Sequence, residues 1–352
     1  MTLDNALNAI GSLDIKKMDE AKYRLDKLTK PLGSLGKLED IVIRLAGIAQ
    51  TAEPSIEKRA IVIMCSDNGV CEEGVSSCPK DVTSTVTKNF QKGLTGINVF
   101  AKMTNSDIVI CDIGVDDDLS NESGILQKKI RRGTHNISKG PAMSREEAIQ
   151  AIEIGISIVE ELNSKGYQII GTGEMGIGNT TTSSAVTAVL TNNSAEIMTG
   201  RGSGLSNQAY SHKTQVIKNA IEKNAPYSDI IDVLAKLGGF DIAGLAGCFI
   251  GAAVLRLPCV IDGFISASAA LVACKICPQV KDFIFTSHKS DEQGTVKVFE
   301  ALEIEAPINL NMRLGEGTGA ALSFMLFDAA LEAYYKMGTF EDASITQYVP
   351  QI

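Results

Sequence analysis

An α/β fold with a parallel sheet flanked by helices is what this sequence predicts, on three observations. Short apolar runs recur along most of the chain, each ends in a loop rich in Gly, Asp or Ser, and a helical pattern follows. Residues 19–51 have helical spacing, broken at KPLGSLG (30–36), where Pro31, Gly33 and Gly36 force a turn. AIVIMCSDNGV (60–70) then reads as a buried strand entering a loop. Residues 81–103 are helical, with an interruption near Gly93 and Gly96. SDIVICDIGV (106–115) and YQIIGTGEMGIGN (167–179) repeat the strand-to-loop unit, and LPCVIDGFIS (257–266), KDFIFTSHKS (281–290) and APINLNMRLGEG (306–317) complete the series. In such sheets ligands bind beyond the carboxyl ends of the strands. The loops SDNG, DIGVDD, GEMGIGN, DGF, SHKS and GEG are therefore expected at one edge. The terminal helices have no strand partners and are expected to form a small helical unit.

Composition excludes several classes. The chain has 352 residues, enough for a large core and a smaller companion unit. A net charge of -9 gives no electrostatic case for nucleic acid or an anionic membrane as partner. The most apolar stretch (241–265) is broken by Asp241, Arg256, Pro258 and Asp262, so it reads as a buried helix feeding a buried strand rather than a span. The first residues lack a basic segment ahead of an apolar one, and a cytoplasmic location is expected. Of eight cysteines, only Cys274 and Cys277 have C-x-x-C spacing, with no second pair or nearby His. Reduced, mostly buried thiols and no metal site are expected.

Candidate chemistry concentrates in three stretches. GTGEMGIGNTTTSSAV (171–186) places Glu174 in a glycine-rich turn ahead of hydroxyl-bearing residues and a helix start, a combination that suits a phosphate. It fits neither the P-loop nor the dinucleotide fingerprint. GRGSGLSNQAYSHK (200–213) repeats the theme. It is either a surface loop before a solvated lysine, or a second phosphate loop with Gly202 and Gly204 near the anion and Lys213 as counter-charge. NLNMRLGEGTGAAL (309–322) sets Glu316 between Gly315 and Gly317. That carboxylate is either a solvated residue near a helix start or a base presented to substrate, with glycines allowing close approach. The acidic turn VDDDL (115–119) reads as solvated, and His135, His212 and His288 are too dispersed to suggest a metal. Two carboxylates, two glycine-rich anion loops and one lysine suit group transfer from a phosphorylated sugar, with a carboxylate base activating the acceptor.

The ordered motifs LTKPLGSLGKLE, DNGVCEEGVSSCPKDVT, GPAMSREEA, GEMGIGNTT, GGFDIAGLAG, DGFISASAAL, SHKSDEQG and MRLGEGTGAAL make the chain resemble the nicotinate-nucleotide:dimethylbenzimidazole phosphoribosyltransferase family over nearly its whole length. The resemblance implies a Rossmann-like catalytic domain (56–324) and a small helical domain from both termini (1–55 plus 325–352). It implies a dimer, homomeric or with a paralogue, and no cofactor. It implies transfer of phosphoribose from nicotinate mononucleotide to an aromatic base, giving an α-ribotide and nicotinate. By the same resemblance Glu316 is the general base and Glu174 the second carboxylate. Gly176, Gly202 and Lys213 fall at the phosphate, Ser290 and Gly315 near the ribosyl and nicotinate groups, and Cys78, Val86 and Phe90 at the acceptor. The chain departs from the family pattern at Cys78 and Val86, which are compact and nearly apolar, and at Asn68 and Thr295, where His is common. A pocket lacking an amide loses a partner for a ring nitrogen, so phenol or p-cresol stands beside benzimidazoles as acceptor.

Overall fold

The computed structural model describes residues 1–202 and 204–347. Six strands form its sheet: β1 (Arg59–Ser66), β2 (Ser106–Gly114), β3 (Ile125–Gln127), β4 (Ile169–Met175), β5 (Cys259–Ile261) and β6 (Ile284–Thr286). Their order is β3-β2-β1-β4-β5-β6, and each adjacent pair is parallel. That order places a topological switch between β1 and β4, where connections leave in opposite directions and open a crevice.

Strand β1 shows why both faces are covered. Residues 60–66 are all buried, as expected of a central parallel strand. Ile61 points to the helix Thr318–Lys336, since a Cβ on Gly317 would lie 2.5 Å from its Cγ2. Met64, three residues on, points to the opposite face, against Gly244 of the helix Phe240–Val254. That second helix is buried along nearly all its length and packs against Arg145–Ser164, which explains its almost unbroken apolar sequence.

Five of the expected strands form, and the sixth does not. Residues 306–317 make a single parallel bridge, His288 with Ile308. Pro307 has no amide to give a ladder, Asn311 has φ +54°, and Leu310 is exposed. The sixth strand is instead β3, three residues that follow the acidic turn. So short a run carries too little alternation to stand out in sequence.

The terminal segments meet. The helices Ile15–Lys27 and Lys37–Ala49 pack together, and the second packs against Thr318–Lys336. Arg24 Nε donates to the Tyr334 carbonyl, Tyr334 OH to that of Ala52, and Leu28 bridges Thr339. The helix Thr318–Lys336 runs unbroken through the expected boundary at 324/325, and residues 348–352 of that expected unit lie outside the described residues. Among the described residues no helix is long and apolar enough to cross a membrane.

Candidate active site

A cavity of about 360 Å³ opens at the carboxyl ends of β4, β5 and β6. Its walls come from the loop after β4, the glycine-rich segment 201–205, the turns after β5 and β6, the Gly315–Glu316 turn, and the segment 75–86. Of the six expected loops, four line it. SDNG and DIGVDD stand behind. The acidic turn is tied to the helix Val82–Gln91 and its approach, Lys80 to Asp116 at 2.5 Å and Lys88 to Asp117 at 2.6 Å.

One end of the cavity is polar and cationic. Lys213 lies in the first half of the helix Asn207–Asn224, and it is buried rather than solvated. Its Nζ donates to Thr180 Oγ1 at 2.8 Å. Burial pushes this ammonium down to about 8, against the attraction of Glu292, which works the other way. Lys213 is thus a desolvated cation that gains when an anion arrives. Gly202 lies beside it: a Cβ there would sit 3.6 Å from Nζ. Gly176 and Ser290 line the same cavity, with Arg201 and Arg313 as further cations. The helix Asn179–Thr191 starts at this end, with Asn179 and Thr180 lining the cavity, and the amides of Asn179, Thr181 and Thr182 donate to the Gly176 and Gly178 carbonyls. Of its run of Thr and Ser, only Thr180 reaches the cavity, and Gly204 does not line it. Ser184 instead donates to the Thr180 and Met198 carbonyls.

Two carboxylates flank the floor. Glu174 closes β4, where Asn179 Nδ2 donates to its Oε2 at 2.5 Å. The same amide reaches Asp241 Oδ2 at 3.1 Å. Burial raises Glu174 to about 8, opposed by the Asn179 hydrogen bond and helped by the nearby charges of Asp241 and Asp262. Gly315 is required beside it, since a Cβ there would meet Glu174 Oε1 at 2.4 Å.

Glu316 has φ +62° between Gly315 at +83° and Gly317 at +90°. A non-glycine residue in this region costs roughly 1–2 kcal/mol, so the surroundings must hold it there. Both readings of this carboxylate turn out to share one geometry. It lies at a helix start, though not its own: Oε2 accepts from the Ile97 amide at 3.1 Å, at the head of the helix Gly96–Met103. It also lines the cavity. Burial raises it above the usual glutamate range, the amides of Ile97 and Gly96 pull it back, and Asp262 raises it further.

One apolar part of the wall comes from a single segment. Val75, Cys78, Val82 and Val86 line it, with Ser76 among them. Phe90, expected there, is packed into the core instead: it is one helical turn beyond Val86, and its carbonyl accepts from Asn98. Asn68 and Thr295 are also buried away from the cavity, so those two departures do not touch the acceptor wall. Sequence inspection gave no individual role to Asp262, His288 or Glu292, although it placed the loops of the first two at the ligand edge, and all three line or brace the site. A detectable signal was Asp262 itself, an acid ending an apolar strand, where a charge persists only if it is paired.

A parallel 3-2-1-4-5-6 sheet with a buried lysine and two shielded carboxylates in one cavity beyond the carboxyl ends of β4, β5 and β6 defines an α/β protein with a candidate ligand site at its strand ends. The phosphoribosyltransferase family model matches residues 10–345. A nicotinate-nucleotide–dimethylbenzimidazole phosphoribosyltransferase of Acetivibrio thermocellus is 62% identical over 99% of this chain and 100% of its own length. A protein of the same name from Clostridium acetobutylicum is 57% identical over 99% of both. The crystal structure of CobT from Thermus thermophilus matches with a TM-score of 0.91 at 35% identity, over 95% of this chain and 100% of that one. The chain belongs to the nicotinate-nucleotide–dimethylbenzimidazole phosphoribosyltransferase family and is a pentosyl-transferring enzyme.

Proposed function

We propose that this enzyme transfers the phosphoribosyl group of nicotinate mononucleotide to an aromatic cobamide lower-ligand base, releasing nicotinate and giving an α-ribotide. The observation that carries this reading is one cavity joining a buried lysine with glycine-flanked backbone to two shielded carboxylates and an apolar wall. The donor phosphate meets Lys213, Gly202 and Gly176, with Ser290 and Gly315 toward the ribose and nicotinate. Glu316 takes the proton from the acceptor N–H or O–H. The freed lone pair forms the bond to the anomeric carbon on the face opposite the pyridinium. The carbon–nitrogen bond breaks, and its electron pair neutralises the ring as nicotinate leaves. A raised carboxyl is suited to that proton transfer, which contributes on the order of 10²–10⁴ in rate.

Glu174 sits where charge develops on the sugar. Burial keeps it protonated at neutral pH in the free protein, and the cationic donor favours loss of that proton. Its ionised form then stabilises the oxocarbenium-like centre. The acceptor is a benzimidazole, or a phenolic such as phenol or p-cresol, because the wall at Cys78 and Val86 offers no side-chain amide to a ring nitrogen. Glu316, Glu174 and Lys213 all face one cavity in one chain, which favours a catalytic subunit over a non-catalytic one. A cytoplasmic dimer, homomeric or with a paralogue, and a small helical domain from the two termini complete the reading. They rest on the family resemblance and on eight free cysteines.

The test is chromatography of purified enzyme with nicotinate mononucleotide and, separately, dimethylbenzimidazole, adenine, phenol and p-cresol. An α-ribotide is expected with at least one acceptor, and Glu316→Gln should suppress it. Full activity of Glu316→Gln would remove the assigned base.

A further inference from the structure

We infer that Asp262 is a positioning residue for the transfer: it holds the turn that aims Glu316, and acts through Glu316 without touching substrate. The inference rests on the base assignment above and on a separate set of contacts. The helix Thr318–Lys336 begins without a side-chain cap of its own, because its capping position is Gly317. Asp262, from the end of β5, supplies that cap from another element. Its Oδ2 accepts from the Gly317 amide at 3.1 Å, and its Oδ1 from Gly319 at 2.7 Å and Ala320 at 3.2 Å. One carboxylate therefore satisfies three of the four amides that a helix start leaves open.

Those three amides fall within the four residues that follow Glu316 in the chain. Gly315, Glu316 and Gly317 all have positive φ, a conformation the segment does not hold without external contacts. Glycine at 173 on β4 allows the turn to sit against the sheet, since a Cβ there would meet the Glu316 carbonyl at 2.6 Å. On the other side the Ile97 amide receives the Glu316 carboxylate. Asp262 is the third support, and the one that fixes where the turn ends.

Asp262 is itself held from three directions. Its amide donates to Ser266 Oγ at 3.1 Å, and Ser266 shares a 2.6 Å hydrogen bond with Thr172 on β4. Ser287, just beyond β6, donates to its carbonyl at 2.8 Å. The residue is buried and is absent from the cavity wall, while Ser266 and His288 beside it are exposed to the cavity. A buried carboxyl group so fully engaged by backbone amides places the base through rigid elements, β4, β5 and the residue after β6, rather than through a loop.

The experiment is steady-state and single-turnover kinetics on Asp262→Asn, Glu316→Gln and the double variant. Asn keeps the shape and one acceptor oxygen but turns an N–H toward at least one amide. Asp262→Asn is expected to lower kcat roughly ten- to hundredfold, as small misplacements of a reacting group do, with donor KM about unchanged. In the Glu316→Gln background the same change should cost nothing further, because there is no base left to misplace. If Glu316→Gln leaves no measurable turnover, a nitrophenol acceptor already ionised at the assay pH supplies the comparison, and the Asp262→Asn loss should shrink with it. Should Asp262→Asn not fold, Ser287→Ala loosens the same anchor and should show the same pattern with a smaller loss. Additive losses, an unchanged kcat, or a loss carried by donor KM would overturn the inference. A slow Glu316→Gln beside a normal Asp262→Asn removes this inference alone, whereas a normal Glu316→Gln removes the base assignment beneath it.

Discussion

The two ends of the cavity are built in opposite ways. On the polar side, three groups are fixed by partners on different elements: Lys213 by Thr180, Glu174 by Asn179, and the Glu316 turn by β4, β5 and the helix Gly96–Met103. On the apolar side, Val75, Cys78, Val82 and Val86 come from one continuous segment and offer mainly shape. The chemistry is thus distributed over many strands and is hard to change one residue at a time. On the proposed function, acceptor choice is assigned to a local wall that single substitutions can alter without disturbing the sheet.

If that division holds, the largest effect belongs to the shared base. Glu316→Gln should lower kcat on the order of 10²–10⁴ with every acceptor that turns over, since proton removal is common to them. Parallel kinetics with an azole and a phenol would check it, and a loss confined to one acceptor would break the comparison. Next is Lys213→Ala, which removes charge-assisted contacts worth about 1.5–3 kcal/mol. Donor KM should rise by roughly ten- to hundredfold, with the ranking of acceptors unchanged. Steady-state kinetics with varied nicotinate mononucleotide measures it, and calorimetric titration gives the matching change in Kd.

A smaller effect is expected at the wall. Val86→Gln places an amide where the cavity is apolar and should shift the kcat/KM ratio of dimethylbenzimidazole over phenol upward by roughly tenfold. No change in the ratio would mean that selectivity arises elsewhere. The smallest concerns stability. The carboxyl of Glu174 titrates at about 8 in the fold against 4.5 when exposed. Between those values the folded protein holds a proton that the unfolded chain has released. Its contribution is complete below 4.5 and is lost as pH rises towards 8. Glu174→Gln lacks this loss, so its Tm relative to wild type should climb across that window by on the order of a few degrees. A constant difference would show that Glu174 is not desolvated.

Much of this was legible in the chain. The parallel sheet followed from apolar runs ending in small polar loops, because such strands bury both faces and read as unbroken hydrophobic stretches. β3 was not legible, since three residues carry no periodicity, and the false strand at 306–317 was a case of apolar residues left on the surface. Lys213, Glu174, Glu316, Gly202, Cys78 and Val86 were singled out and do face one cavity. Phe90 was misplaced because it lies one helical turn beyond Val86 on the same face of the helix Val82–Gln91, a displacement along the axis from wall into core that spacing alone did not resolve.

What the sequence determined by itself was the kind of fold and the inventory of reactive groups, since burial patterns and glycine-flanked carboxylates are local features. What only the tertiary structure decided was which groups hold which. Asp262 capping a helix that starts at Thr318, the Ile97 amide meeting Glu316, and Asn179 spanning Glu174 and Asp241 join residues 5 to 219 positions apart. Contacts at that range are set by strand order and helix packing, so no pattern along the chain records them.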